Sequence, residues 1–342
     1  MQKDLCTNDE IKTAQNQVDE FCNMFSRLRK EVNTCFIGQE DIVENVLCAL
    51  FSSGHVLLEG VPGLGKTMLV RTLAGALHLD HERIQCTPDL MPADIVGCMT
   101  LLETDTGSHK LSYQQGPVIS NLVLVDEINR ATPKTQSALL EAMQEGQVTI
   151  GTRSIALPQP NIFIATQNPV EHEGTYPLPE AQLDRFLIKL KLRYPKADEY
   201  HTIIQQTTGT KNAAANAVVN AEQVRNMQQI VRQVEISRHV LDYAVNLVVA
   251  SQPENSQLAI VRDNVVLGAS PRGVQSLVVM AKVKALLDGR TSVSYQDLRA
   301  VVFVTLRHRI FLNYRAISQR ITQDEVVKAI AAEVKYEESQ TL

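Results

Sequence analysis

The 342-residue chain contains no tryptophan, and its aromatic content is only 5%. Surfaces that stack nucleic-acid bases draw on aromatic side chains, so the sequence offers little toward one. Basic residues are not in surplus either: 33 Lys and Arg stand against 38 Asp and Glu, a formal charge of −5. Electrostatic gripping of nucleic acid needs the opposite balance. No apolar run approaches the roughly 18 residues that cross a bilayer, and the opening MQKDLCTNDE lacks the apolar stretch of a signal peptide. The 6 cysteines include no CxxC pair, a pattern of reduced thiols rather than of a disulfide framework. A cytoplasmic protein without a membrane span is expected, and the length predicts about two domains.

What is present begins with a helical periodicity. Ile11, Ala14, Val18, Phe21, Phe25, Leu28 and Val32 recur at spacings of three and four, which predicts an N-terminal helix over residues 1–30 docked by one face on the chain's own core. From 31 to 194 the texture alternates. Short apolar runs (His55–Leu58, Leu122–Val125, Ile162–Ala165) are each followed by turn residues and a helical or polar stretch. That alternation predicts an α/β domain with a parallel sheet, and LVLV and IFIA read as strands buried on both faces. Two stretches break the rhythm: residues 87–118, with Pro88 and Pro92, and residues 147–157, which read as a hairpin turning near Gly151 and Thr152. Beyond Tyr194 the strand signals fade. Helices are predicted over Ala197–Gln206, Ala221–Val234 and Ser237–Ser251, with further starts capped at Ser270, Ser294 and Thr322. Residues 195–342 are therefore expected to form a helical domain, with 207–220 as a low-complexity loop.

The chemistry concentrates in a few segments. GVPGLGKT, comprising Gly60, Val61, Pro62, Gly63, Leu64, Gly65, Lys66 and Thr67, follows the apolar HVLLE and precedes a helical stretch opening at Met68. It matches the phosphate-binding pattern in its required strand–loop–helix context. Glycines let the backbone wrap closely around phosphate oxygens, and the helix N-terminus faces the anion. Lys66 is placed for the β- and γ-phosphates, and Thr67 for Mg²⁺. In LVLVDE a buried strand delivers Asp126 and Glu127 at its carboxyl end, where open α/β sheets bind ligands. Asp126 reads as a holder of Mg²⁺ and Glu127 as the group that polarises an attacking water.

FIATQNP ends another buried run at Asn168. The amide suits a water-aligning group and equally a turn before Pro169, and both readings stand at this point. Arg185, in AQLDRF, is either a solvated ion pair or a cation for a phosphate. Arg272 lies in the first turn of a helix behind Ser270 and Pro271, where the macrodipole disfavours a cation, so an anion at that end is implied. Arg307, His308 and Arg309 read as complements to a helix C-terminus.

GVPGLGKT, LVLVDE, ATQNP, LDRF and GASPR, in this order and spacing, resemble an AAA+ ATPase, and VDEINRATPKTQSALLEAMQE with EGTYPLPEAQLDRF resembles the MoxR family. The resemblance runs from about residue 30 to about residue 336. It departs slightly at Thr132, where proline is frequent, and at MPAD (Met91–Asp94), more often LPSD. It implies a P-loop NTPase sheet core with a C-terminal all-helical lid, ATP and Mg²⁺ as cofactors, and adenine near Ile37 and Gly38. It further implies Asn168 as sensor 1, Arg185 as the arginine finger reaching a neighbouring subunit, and Arg272 as sensor 2 acting from the lid on the chain's own nucleotide. Residues 87–118 correspond to the helix-2 insert and 147–157 to the pre-sensor-1 hairpin, both facing the pore of a ring. The expected working unit is a homo-oligomer, a hexamer, that hydrolyses ATP to remodel a client protein. Its expected partners are a client enzyme and a protein with a von Willebrand factor A domain. The alternative is a ring-forming nucleic-acid motor of the helicase or chelatase type, against which the acidic balance counts.

Overall fold

A computed structural model of the chain describes residues 8–103, 109–151, 153–169, 174–208 and 215–335. The first helix, α1 (Asn8–Cys35), runs past the expected end at residue 30, while residues 1–7 of the expected span lie outside the described set. Val18, Phe21, Phe25, Leu28 and Val32 form its buried stripe, none more than 2% exposed. The docked reading of this helix is therefore correct. Helix α2 (Glu40–Phe51) and strand β1 (Val56–Glu59) lead into α3 (Lys66–Leu77) and β2 (His81–Gln85). Next come α4 (Pro92–Val96) and an antiparallel hairpin, β3 (Gly97–Glu103) with β4 (His109–Gln115). Strand β5 (Leu122–Asp126) and α5 (Pro133–Glu145) precede a second hairpin, β6 (Gln147–Ile150) with β7 (Arg153–Ala156). Gly151 turns it at φ 61 as expected, and Thr152 lies outside the described residues. Strand β8 (Ile162–Gln167), α6 (Glu180–Leu183) and β9 (Ile188–Lys191) complete this half.

The sheet runs β2-β5-β8-β1-β9, every pair parallel. Its centre is what the apolar runs predict: β5 is wholly buried and β8 nearly so. Its edges are strands that the runs did not reveal. HERIQ of β2 buries only Ile84, because an edge strand needs one inward side chain and a partner rather than an apolar run. In β9, Ile188 and Leu190 are buried while Lys189 points to Glu59 of β1 at 2.5 Å.

After β9 the chain is mainly helical: α7 (Ala197–Thr208), α8 (Ala221–Gln233), α9 (Arg238–Val249) and α10 (Ala259–Asn264), then β10 (Val265–Leu267), α11 (Pro271–Leu287) and α12 (Tyr295–Leu306). Strand β11 (Phe311–Leu312) follows, with α13 (Tyr314–Ser318) and α14 (Gln323–Glu333). The predicted caps form. Ser294 and Thr322 close capping boxes with Asp297 and Glu325, and Ser270 accepts from the Arg272 N–H. The antiparallel β10–β11 pair corrects the all-helical expectation; strands this short leave no period to read. Of the 207–220 loop, residues 209–214 lie outside the described set, while Val218 and Val219 donate their N–H groups to the carbonyl of Ala76 on α3.

The two halves share one core, with α1 packed on α3 from the first and on α8 and α11 from the second. An ion cluster marks the seam: Glu44 of α2 accepts from Arg29 of α1 at 2.6 Å and from Lys284 of α11 at 2.5 Å. Burial alone would raise the Glu44 carboxyl, but Lys284 and Arg29 hold it below its ordinary value. Among the described residues no helix is long and apolar enough to cross a membrane.

Candidate functional site

The carboxyl ends of three adjacent strands build the first part of the site. The glycine loop leaves β1 at Gly60, whose N–H donates to the Gln167 carbonyl of β8 at 3.1 Å. A Cβ at Gly60 would lie 2.8 Å from the Leu192 side chain, so only glycine fits this close approach. Gly65 caps α3 in the left-handed region at φ 78. Against it lies the ring of Phe36, the residue before Ile37 and Gly38. Lys66 is buried at 8% exposure, and its Nζ donates to the Gly60 carbonyl at 3.0 Å. Among the described residues no carboxylate pairs with Lys66, so its charge is available to an anion. Thr67 is exposed in the first turn of α3.

At the end of β5, Asp126 is 8% exposed and doubly held. Its Oδ1 accepts from the Thr166 hydroxyl at 2.6 Å, and its Oδ2 from Arg83 at 2.7 Å. Glu127 turns the chain out of the strand at φ 56, a left-handed conformation that costs a non-glycine residue about 1–3 kcal/mol. The turn is held because the Glu127 N–H donates to the same Thr166 hydroxyl at 2.9 Å. The Glu127 carboxylate accepts from Gln85 at 3.2 Å and from Arg130 at 3.1 Å. Asn168 is 4% exposed, one residue past the β8 strand that lies between β5 and β1. Beside the acids, burial pushes the Cys86 thiol up to about 12, with Asp126 and Glu127 adding to the rise. It stays a protonated, inert thiol.

Arg83, Gln85, Arg130 and Thr166 form the surroundings of the acid pair, and sequence reading missed all four. The usable signal was HERIQ, whose register places Arg83 opposite Leu124 and Gln85 opposite Asp126.

The two predicted arginines lie elsewhere. Arg185 sits just before the amino end of β9, and the β1–β9 register pairs Val56 with Ile188. Together with Arg272 at the N-terminus of α11 it lines a cavity of about 250 Å³, beside Ser53 and His55. This cavity is at the amino ends of the strands, whereas the phosphate loop leaves their carboxyl ends. Arg272, expected to act on its own chain's nucleotide, is separated from that loop by the parallel pairing, and the Ser270 hydroxyl fastens its helix to Asp184 at 2.8 Å. Neither arginine has a carboxylate partner among the described residues. Arg185 donates one Nη to the Leu140 carbonyl at 3.0 Å, and its buried Nε has no partner. The neighbouring acid, Asp184, is taken by Arg309 at 2.9 Å. Arg309 serves the helix end through the Thr305 carbonyl, as expected, and in addition binds the loop from Asp184 to Leu187.

Residues 55–188 match the family model described as the ATPase family associated with various cellular activities, and residues 257–330 match the AAA lid domain. The chaperone MoxR1 of Mycobacterium tuberculosis is 42% identical over 88% of this chain and 79% of its own length. Protein MoxR of Methylorubrum extorquens is 32% identical over 84% of this chain and 87% of its own. The chain belongs to the MoxR family of AAA+ ATPases. A crystal structure from Cytophaga hutchinsonii, described as a candidate ATPase, is 37% identical and superposes with a TM-score of 0.88 over 96% of this chain and 99% of that one.

For a MoxR-family ATPase the donor set fits the nucleotide and its metal. A buried ammonium and a glycine-rich helix start suit phosphates, and one carboxylate with one hydroxyl, Asp126 and Thr67, suits a Mg²⁺ that keeps several waters. The ion, when bound, neutralises charge on the phosphates.

Proposed function

We propose that this MoxR-family protein hydrolyses ATP with Mg²⁺ at sites shared between neighbouring subunits of a homo-oligomeric ring, a hexamer, and uses the turnover to remodel a client protein. In this reading Lys66 and the loop from Gly60 to Met68 hold the phosphates, while Ile37 and Gly38 flank the adenine. Thr67 and Asp126 hold the metal. Glu127 withdraws a proton from the attacking water, which Asn168 aligns. Arg185 and Arg272 of the next subunit complete the site by meeting charge that develops on the γ-phosphate. The observation that carries the reading is the pairing of two arginines without acid partners in one cavity, at the opposite strand ends from their own phosphate loop. A single chain thus presents two complementary halves.

Coupling to a client has a second support. Leu101 and Leu111 face each other across the β3–β4 hairpin and are 65% and 60% exposed. Apolar side chains presented on a projecting hairpin suit a protein partner, a client or a von Willebrand factor A domain protein. The test is Glu127→Gln. ATP affinity is expected to stay within about threefold, and phosphate release to fall by about 100-fold or more, the contribution of a positioned general base. The variant should also retain its client long enough for co-purification. Unchanged phosphate release would refute the assignment.

A further inference from the structure

We propose that Arg309 is a positioning residue for the neighbour-facing arginine pair: from beyond α12 it binds the loop that carries Arg185 and ties that loop to the helix that carries Arg272. The proposal rests on the reading that Arg185 acts on the next subunit's nucleotide.

Arg309 is 3% exposed. Its Nε donates to Asp184 Oδ1 at 2.9 Å. One Nη donates to the carbonyls of Phe186 at 2.6 Å and Asp184 at 3.3 Å, and to the Ser276 hydroxyl at 2.9 Å. The other donates to the carbonyl of Leu187 at 3.1 Å and to that of Thr305. The acceptors therefore bracket Arg185 on both sides, and Ser276 stands one turn beyond Arg272 on α11. The second oxygen of Asp184 accepts from Ser270, the cap of the same helix. Asp184 and Arg309 together thus fix the separation of Arg185 from Arg272.

His308, the preceding residue, adds a bond from Nε2 to the Phe186 carbonyl at 3.0 Å. A helix end alone would be served by an exposed lysine. A guanidinium withdrawn from water and spent on the carbonyls around one loop instead defines a geometry, which a point-charge ammonium with three donors does not reproduce.

The test uses full-length chains. Arg309→Lys keeps a cation opposite Asp184 but loses the planar fork. Its kcat for ATP is expected to fall about 100-fold, the scale of a misplacement near 1 Å. Its KM and nucleotide affinity should stay within about threefold, because its own phosphate loop is untouched. Mixed with Lys66→Ala chains, which are inactive but present an intact arginine pair, Arg309→Lys should regain turnover. Wild-type kcat in Arg309→Lys, or a loss that Lys66→Ala chains do not restore, would overturn the proposal. The control mixes Arg185→Ala with Lys66→Ala. Failure of the control removes the action between subunits, and this proposal with it. Success of the control beside failure of the Arg309→Lys mixture removes only the role of Arg309. If Arg309→Lys does not assemble on gel filtration, Asp184→Asn is measured in the same mixtures, with restoration supporting the proposal and its absence overturning it.

Discussion

His308 must donate from Nε2, because its partner there is the Phe186 carbonyl, and its buried Nδ1 has no acceptor to serve. The ring is therefore neutral. Burial holds its pKa well below the ordinary histidine value, and the Arg309, Lys189 and Arg307 cations lower it further. A depressed folded-state pKa means that only the unfolded chain takes up this proton below about pH 6.5. The associated stability is complete above that pH and is lost as the pH falls below it, at a slope approaching about 1.4 kcal/mol per pH unit. His308→Gln retains an N–H for the carbonyl and cannot titrate. Its unfolding free energy from denaturant titrations between pH 6.5 and 5 should fall less steeply than that of the wild type by about this slope. Parallel curves would show that His308 does not carry the dependence.

At the scale of elements, α1 is the unit most clearly built by sequence period. Phe21 is fully buried, 6.1 Å from Phe25 in a stacked pair and 5.6 Å edge-on from Phe51. Phe21→Ala should cost about 3–5 kcal/mol, measurable as a lowered urea midpoint with unchanged slope. A loss below about 1 kcal/mol would mean that α1 is dispensable to the core. This helix was legible because one face repeats along seven apolar positions, and β5 and β8 were legible because both faces are buried. The same physics hid β2 and β9, which need few apolar residues at a sheet edge. It also hid β10–β11, where pairing rather than pattern makes the strand. The glycine loop and the Asp126–Glu127 pair were readable because their chemistry demands particular residue types at fixed spacing. The supports from Thr166, Arg83 and Gln85 were not, since each reaches the acids only through strand register. The position of Arg272 likewise depends on where α11 docks, which no local pattern encodes.

For the whole molecule, the sheet acts as a spacer with a phosphate loop at one end and an arginine pair at the other. A chain of this design cannot bring both ends to one nucleotide, so turnover should depend on association. An arginine supplied by a neighbour is worth about 10³–10⁵ in kcat. Dilution through the dissociation range should therefore reduce phosphate release per chain far more steeply than nucleotide occupancy. Adding Arg185→Ala chains to wild type at constant total concentration should depress turnover as mixed interfaces form, since on the proposed sharing of sites each such chain would silence its neighbour's site. Arg185→Ala chains should still bind ATP through their own Lys66, which separates loss of the neighbour's cation from loss of the fold. Turnover per chain that stays constant across dissociation would place the complete site within one chain. The separation between the phosphate loop and the arginine pair makes that outcome incompatible with the fold described here, unless α11 and the loop from Asp184 to Leu187 leave their present contacts together.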